Sequence, residues 1–383
     1  MKILVAGDLS PKFESSRMIE TGDFEGLFKE IKPFTSNADI NIVNFETVIT
    51  NDKCIPIPKN GPNLSTPKNI VKALKYAGFN TVTLANNHFY DFGDEAVELS
   101  LNHFTANDIS YVGAGRNINE AEQTLFIERD GFRIAIINCC ETEFSIASEH
   151  HGGSNPLNPI QQYYRIQEAK INSDYIIVIV HGGHECFQLP NLRMQETYRF
   201  FIDTGANCVI NHHQHCFSGM EIYKECPIFY GLGNFLFDKR KNVYPDSWLE
   251  GFFVVLDLNE KNSKASFEII PYTQSYPKPG IHLLKNDDDK NKFWNRFNEL
   301  NSIISDRYKL EEELCRFYCK DIRGSLQAFE PYSNKYLRAA YYRKLLPSFL
   351  TKSKLFHLLN YISCESHLDK SKFLLNKLSK TAK

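Results

Sequence analysis

The stretch VINHHQHCF, residues 209–217, sets three histidines into four positions directly behind an apolar run. An apolar run of this kind reads as a short buried strand, here 207–210, and the histidines then stand just past its carboxyl end. If the segment stays extended, His213 and His215 point the same way and His212 points opposite. The same arrangement recurs upstream. Asp8 follows a predicted strand at 2–6, Glu46 follows 40–44, Asn87 and His88 follow 80–84, and His181 follows 175–180.

A further strand is predicted at 132–138, and helical patterns lie between the runs. STPKNIVKALKYAG (65–78) begins on hydroxyl residues and a Pro and ends on a Gly, which predicts a helix. Another is expected to begin near Asp94. This alternation over residues 1 to about 273 implies an α/β fold of parallel strands with crossover helices. In such sheets ligands collect at the carboxyl ends of the strands, so five distant segments can converge on one site. Strands predicted at 226–230, 251–258 and 265–271 lack intervening helices and suggest an antiparallel continuation.

Each polar residue alone also fits a plain structural role. Asp8 could be a turn residue after Gly7, Asn86 and Asn87 an Asn-rich turn, and His181 a satisfied core histidine. Glu46 is harder to dismiss, because NIVNFETVIT surrounds it with apolar neighbours, where an unpaired carboxylate is costly and calls for a cation. Together the set offers two carboxylates, an amide oxygen and at least three imidazoles, the donor chemistry of Mn, Fe or Zn. No thiol is placed to join, which argues against a structural zinc site. Two ions sharing a carboxylate, about 3.5–4 Å apart, suit in-line displacement at phosphorus.

Composition narrows the function classes. Forty-four Lys and Arg stand against 46 Asp and Glu in 383 residues, so bulk attraction to nucleic acid is not expected. MKILVAGDLS reads as a strand and a turn rather than a signal peptide, and no window approaches the roughly 18–20 apolar residues of a membrane span. A cytoplasmic location is therefore expected. The ten cysteines include no Cys-x-x-Cys pair, and Cys139 and Cys140 are adjacent, so reduced thiols are expected.

Past residue 280 the texture becomes helical, as in KFWNRFNELNSIISDRYKLEEELCRFY (292–318), and a boundary is predicted near 275. Residues 274–383 are read as a helical extension. From Lys335 to Lys383, eleven Lys or Arg face only Glu365 and Asp369 and alternate with aromatic residues. The tail at 335–383 fits either a solvated basic face or peripheral contact with an anionic membrane or polyanionic substrate.

Six ordered segments, GDLS (7–10), NFE (44–46), LANNHFYDFG (84–93), VHGGHE (180–185), GANCVINHHQHCF (205–217) and IFYGLGNFLFD (228–238), carry a resemblance. Over residues 1–273 the chain resembles the CapA-type capsule and poly-γ-glutamate biosynthesis proteins, a branch of the calcineurin-like metallophosphoesterase superfamily. The resemblance implies a four-layer α/β/β/α sandwich with two divalent ions at one edge. Asp8, Glu46 and His215 would hold one ion, and Glu46, Asn87, His181 and His213 the other. His88 would stabilise the transition state or protonate the leaving oxygen, with water activated at the ions as nucleophile. Glu185, Glu221 and Asn234 match further positions near the site, and His184 and His212 are read as neighbours of the ligands.

Three departures stand out. Ser10 occupies a place where many members carry His, which predicts an open position at the first ion. Gly182 replaces a large aromatic residue and predicts a wider pocket floor. The chain also starts directly at its first strand, whereas many members are anchored or exported. The leading expectation is hydrolysis of a phosphoester on a small molecule or surface polymer. Amide hydrolysis or transfer on a γ-linked glutamyl polymer, and a non-catalytic assembly role, are the alternatives.

Overall fold

A computed structural model describes residues 1–238, 244–258, 265–332 and 334–364, with a few positions between 367 and 379. Glu365 and Asp369, the acids of the basic tail, lie outside the described residues. Two β-sheets organise the unit Met1–Leu310.

The first sheet runs, in spatial order, Ile281–Leu283, Ser266–Gln274, Glu250–Asp257, Lys2–Leu9, Ile40–Phe45, Thr81–Thr83 and Ser110–Val112. The last four are mutually parallel and the first three antiparallel, as runs without helices between them require. The second sheet runs Met220–Tyr223, Cys226–Phe229, Cys208–His212, Tyr175–His181, Phe132–Cys140 and Leu125–Arg129. Its middle four strands are parallel. The strand expected at 226–230 to continue an antiparallel set therefore belongs elsewhere: it pairs in parallel with Cys208–His212.

Both sheets are covered on both faces, which is why the ILVAG (3–7) and VIVH (178–181) runs are apolar without alternation. Helices Phe13–Thr21, Ile70–Ala77 and Gly93–Thr105 cover the first sheet through a core that includes Ile19, Leu74, Leu101 and Phe104. Pro159–Asn172 and Leu192–Thr204 cover the second. Between the sheets Phe229 packs on Phe252 and Phe267, and Asn138 Oδ1 accepts from the backbone of Leu84 and Ala85 at 3.1 and 2.7 Å. The four layers implied by the resemblance are thus present.

Three expectations change. The helix predicted over 65–78 begins only at Ile70, because Ser65–Thr66 pairs as a strand with Val48–Ile49; its end at the left-handed Gly78 is as read. The pattern at 292–318 is two helices, Asp287–Ser305 and Arg307–Lys320, parted at the extended Asp306. The first packs Phe293 and Phe297 on Phe252, so it belongs to the Met1–Leu310 unit, beyond the boundary expected near 275. The second unit, Glu311–Lys383, includes Lys335–Tyr342 and Lys352–Ser363.

A close approach fixes the strand end that carries Asp8. Register slips at Gly7, and Asp8 donates its backbone N–H to Gly233 O at 3.1 Å. A Cβ on Gly7 would lie 1.9 Å from that same carbonyl oxygen. Only a residue without a side chain lets the two backbones meet here. Gly7→Ala is expected to destabilise the protein by more than about 3 kcal/mol, read as a drop in the denaturant midpoint. A midpoint within error of the parent would contradict this close packing.

Candidate metal centre

Five strand ends meet where the two sheets face each other. Asp8, Glu46, Asn87, His181, His213 and His215 are all buried, and their side chains gather there. Two groups of metal-competent side chains form, Asp8 with Glu46 and His215, and Glu46 with His181 and His213. Glu46 is common to both. Its Oε1 lies 3.5 Å from His181 Nε2 and 3.5 Å from His215 Nε2. Asn87 Oδ1 stands 3.0 Å from His181 Nε2, and His213 Nδ1 stands 3.0 Å from the same nitrogen.

The test of whether these residues fit a cation is Glu46 itself. The side chain is fully buried, yet neither carboxylate oxygen has a hydrogen-bond partner among the described residues. Burial pushes its pKa well above the usual carboxylate range, and Asp8, Glu185 and Glu143 add to the rise against the pull of His215. A carboxylate so placed is tolerable only beside positive charge. His181 is driven well below 6.5 by burial and by His213 and His212, so its imidazole is neutral, the state a metal ligand needs. The donor set fits divalent ions.

Asn44, overlooked in the sequence although it opens the NFE segment, ties the ligands together. Its Nδ2 donates to Asp8 Oδ1 at 2.7 Å and lies 3.1 Å from His181 Nδ1, while its Oδ1 accepts from Thr83. One amide thereby sets the first sheet's Asp8 against the second sheet's His181. Asn234, expected near the site, orients His215: its Oδ1 is 2.9 Å from His215 Nδ1, and its Nδ2 donates to His215 O and Trp248 O. With Nδ1 so engaged, Nε2 is the nitrogen turned to Glu46.

The histidine run is not extended. The strand ends at His212, and His213 and His215 adopt φ of 91° and 55°. The two rings share a pocket, with centroids 6.0 Å apart, because a left-handed turn brings them together rather than strand alternation. Asn211 holds that turn, donating to Gly182 O, His212 O and Tyr230 O while accepting from Tyr198. His212 does not face away as alternation would require. Its Nδ1 is 3.4 Å from Asp8 Oδ1, and neither ring nitrogen makes a hydrogen bond among the described residues.

His88 sits beside the centre with Nδ1 2.7 Å from Asp91 Oδ2. Buried Lys59 pairs with Asp91 and lies 3.2 Å from the same His88 nitrogen. Burial lowers the His88 pKa, with Lys59 adding to the fall and Asp91 opposing it. Asp91 had a legible signal, three positions past His88 within LANNHFYDFG. Lys59 had none, since it arrives from a loop remote in sequence.

The remaining expected residues divide. Glu185 forms a third metal-competent group with His213 and His215 but is exposed. His184 is half-buried, its pKa lowered by burial. Glu221 is instead taken up by Arg199 at 2.9 Å and Tyr230 at 2.6 Å on the edge strand of the second sheet. Gly182 does not widen the floor: a Cβ there would meet the Glu141 side chain, which fills the space and pairs with Arg193. Ser10 is fully buried and its hydroxyl has no hydrogen-bond partner among the described residues.

A family model described as bacterial capsule synthesis protein PGA_cap matches residues 2–239, which span every residue of this centre. The chain belongs to that family. Among similar proteins, the capsule biosynthesis protein CapA of Bacillus anthracis is 28% identical over 304 residues, covering 77% of this chain and 72% of the relative. The PGA biosynthesis protein CapA of Bacillus subtilis is 29% identical over 268 residues, covering 69% of each. A solved phosphatase from Mycoplasma pneumoniae aligns with a TM-score of 0.45 and 18% identity, covering 71% of this chain and 93% of its own. The PGA_cap match ends before the Glu311–Lys383 unit begins.

The buried imidazoles make a pH prediction for the metal-free protein. His88, His181, His212 and His213 have pKa values lowered by burial, so the native state keeps them neutral. His215, opposed by burial but lifted to about 10 by Glu46 and Asp8, already holds its proton. As the pH falls through about 6.5, the unfolded chain takes up protons on the four imidazoles that the native state keeps neutral, which costs stability; His215 and Glu46, whose native pKa values are raised, act in the opposite sense but are two against four. Stability is therefore lost as pH falls. The melting temperature of chelator-treated protein should be lower at about pH 5.5 than at about pH 7.5. An equal or higher value at the acid end would contradict the neutral imidazoles.

Proposed function

We propose that the chain is a metal-dependent hydrolase of phosphoester bonds acting in the synthesis of a bacterial surface polymer. The observation that carries this reading is Glu46, a buried carboxylate with no hydrogen-bond partner among the described residues that is shared by two imidazole-containing donor groups. Asp8, Glu46 and His215 would hold one divalent ion, and Glu46, Asn87, His181 and His213 a second. Such ions supply Lewis acidity toward a phosphoryl oxygen and toward water. The family match and the names of the CapA relatives support the pathway.

The chain's own residues supply the rest. His88, whose Nδ1 faces Asp91, gives a proton to the departing oxygen once the substrate's negative charge has drawn a second proton onto its imidazole, which is neutral in the free protein. Asn87 joins the cluster through Oδ1, 3.0 Å from His181 Nε2, and its Nδ2 donates to Glu143 Oε2 at 3.3 Å. Lys12 meets the substrate's negative charge. Burial lowers its pKa to about 8 against the opposing pull of Asp91 and Glu46, and its Nζ donates only to Ser65 O, at 3.3 Å, among the described residues. The ammonium is charged below that value and neutral above it. Raising the pH through about 8 should raise KM for an anionic substrate, and Lys12→Met should raise KM roughly tenfold with kcat little changed. An unaltered KM would remove Lys12 from substrate binding.

Stripped protein should lose turnover of an aryl phosphate and recover it with Mn or a related ion. Release of amine from a γ-glutamyl peptide, without phosphate release from any ester, would favour the amide reaction instead. Full activity after stripping would end the metal reading.

A further inference from the structure

Between Asn334 and Cys364 the chain has Lys335, Arg338, Arg343, Lys344, Lys352 and Lys354 and no Asp or Glu. Solvated helices of globular proteins intersperse both signs, and this segment does not. Within it Leu355, Phe356, Leu359 and Ile362 stand on helix Lys352–Ser363, exposed by 41, 62, 55 and 52%. Their spacing of one, four and seven places all four on one helical face. The connection before this helix adds Leu345 and Phe349, and the preceding helix adds Tyr336, Leu337 and Tyr342, all exposed. Single exposed apolar residues need no explanation, but a run of them on one face marks an interaction surface.

We propose that residues 334–364 dock on an anionic phospholipid surface, with the Leu355, Phe356, Leu359 and Ile362 face entering the headgroup region and Lys335, Arg338, Arg343, Lys344 and Lys352 lying against lipid phosphates. Charge selects this occupant. A second copy of the chain would bring the same cations again and no acid from this segment. An anionic bilayer offers an apolar layer and opposite charge together. No helix among the described residues is long and apolar enough to cross a membrane, so the contact lies in the interface plane.

Co-sedimentation of the full chain with vesicles tests the proposal. Vesicles of equal parts phosphatidylcholine and phosphatidylglycerol should bind at least about tenfold more protein than phosphatidylcholine alone, and added salt should weaken that binding. Arg343→Glu with Lys344→Glu, and separately Phe356→Asp with Leu359→Asp, should each lower binding about tenfold or more while leaving the melting temperature and aryl phosphate turnover unchanged. The wild-type chain decides the matter even if a variant fails to fold. Absence of binding to the anionic vesicles, equal binding to both compositions, or a dimer broken by Phe356→Asp without vesicle binding would each overturn the proposal.

Discussion

Glu46→Gln is expected to abolish ion binding at both halves of the centre and to lower turnover on the order of 10³-fold or more. The reason lies in the packing. Glu46 is the one side chain common to the Asp8–His215 and His181–His213 groups, and its oxygens have no hydrogen-bond donors among the described residues to satisfy them otherwise. The amide keeps the shape but loses the charge. In the metal-free protein the same change should stabilise the fold, because a buried carboxylate strained by Asp8, Glu185 and Glu143 is removed. Loss of activity with gain of apo stability separates a ligand from a structural residue. Full turnover by Glu46→Gln would show that the chemistry lies elsewhere.

His88→Ala should behave differently. His88 belongs to neither donor group; its Nδ1 is committed to Asp91, with Lys59 beside it. Ion content should stay at the parent level while kcat falls about 10²–10⁴-fold, the range for loss of a positioned proton donor. The loss should be greatest for esters with basic leaving groups and small for activated aryl esters, whose leaving oxygen needs no proton. A uniform loss across leaving groups would reassign His88 to holding the loop. Asp91→Asn should follow the same pattern more weakly, since it acts through His88.

The sequence was most legible where chemistry and strand ends coincide. Asp8, Glu46, Asn87, His181, His213 and His215 could be gathered because each follows an apolar run, and strand-end convergence is a rule of α/β sheets. The supporting residues were less visible for physical reasons. Asn44 points from within a strand, where an amide among apolar neighbours resembles a defect. Lys59 reaches His88 across a loop, and Asn211 acts through backbone carbonyls that no side-chain pattern records. Glu221 looked like a site residue by motif position but is spent on Arg199 and Tyr230.

The histidine run shows how a grouping can rest on the wrong local geometry. Alternation paired His213 with His215 by assuming an extended segment, whereas two left-handed residues create the pairing. The same turn brings His212 against Asp8 instead of away from it. The boundary near 275 rested on a change from strand to helix texture, yet the packing of Phe293 and Phe297 on Phe252 carries the compact unit through Leu310. Texture reports secondary structure, while units follow buried contacts.

The central claim is that Asp8, Glu46, Asn87, His181, His213 and His215 form one centre for two divalent ions. Titration of chelator-stripped protein with Mn, followed by removal of loosely held ions and metal analysis, tests it most directly. About two ions retained per wild-type chain is the predicted result. No retained ion in the wild-type protein would contradict the account.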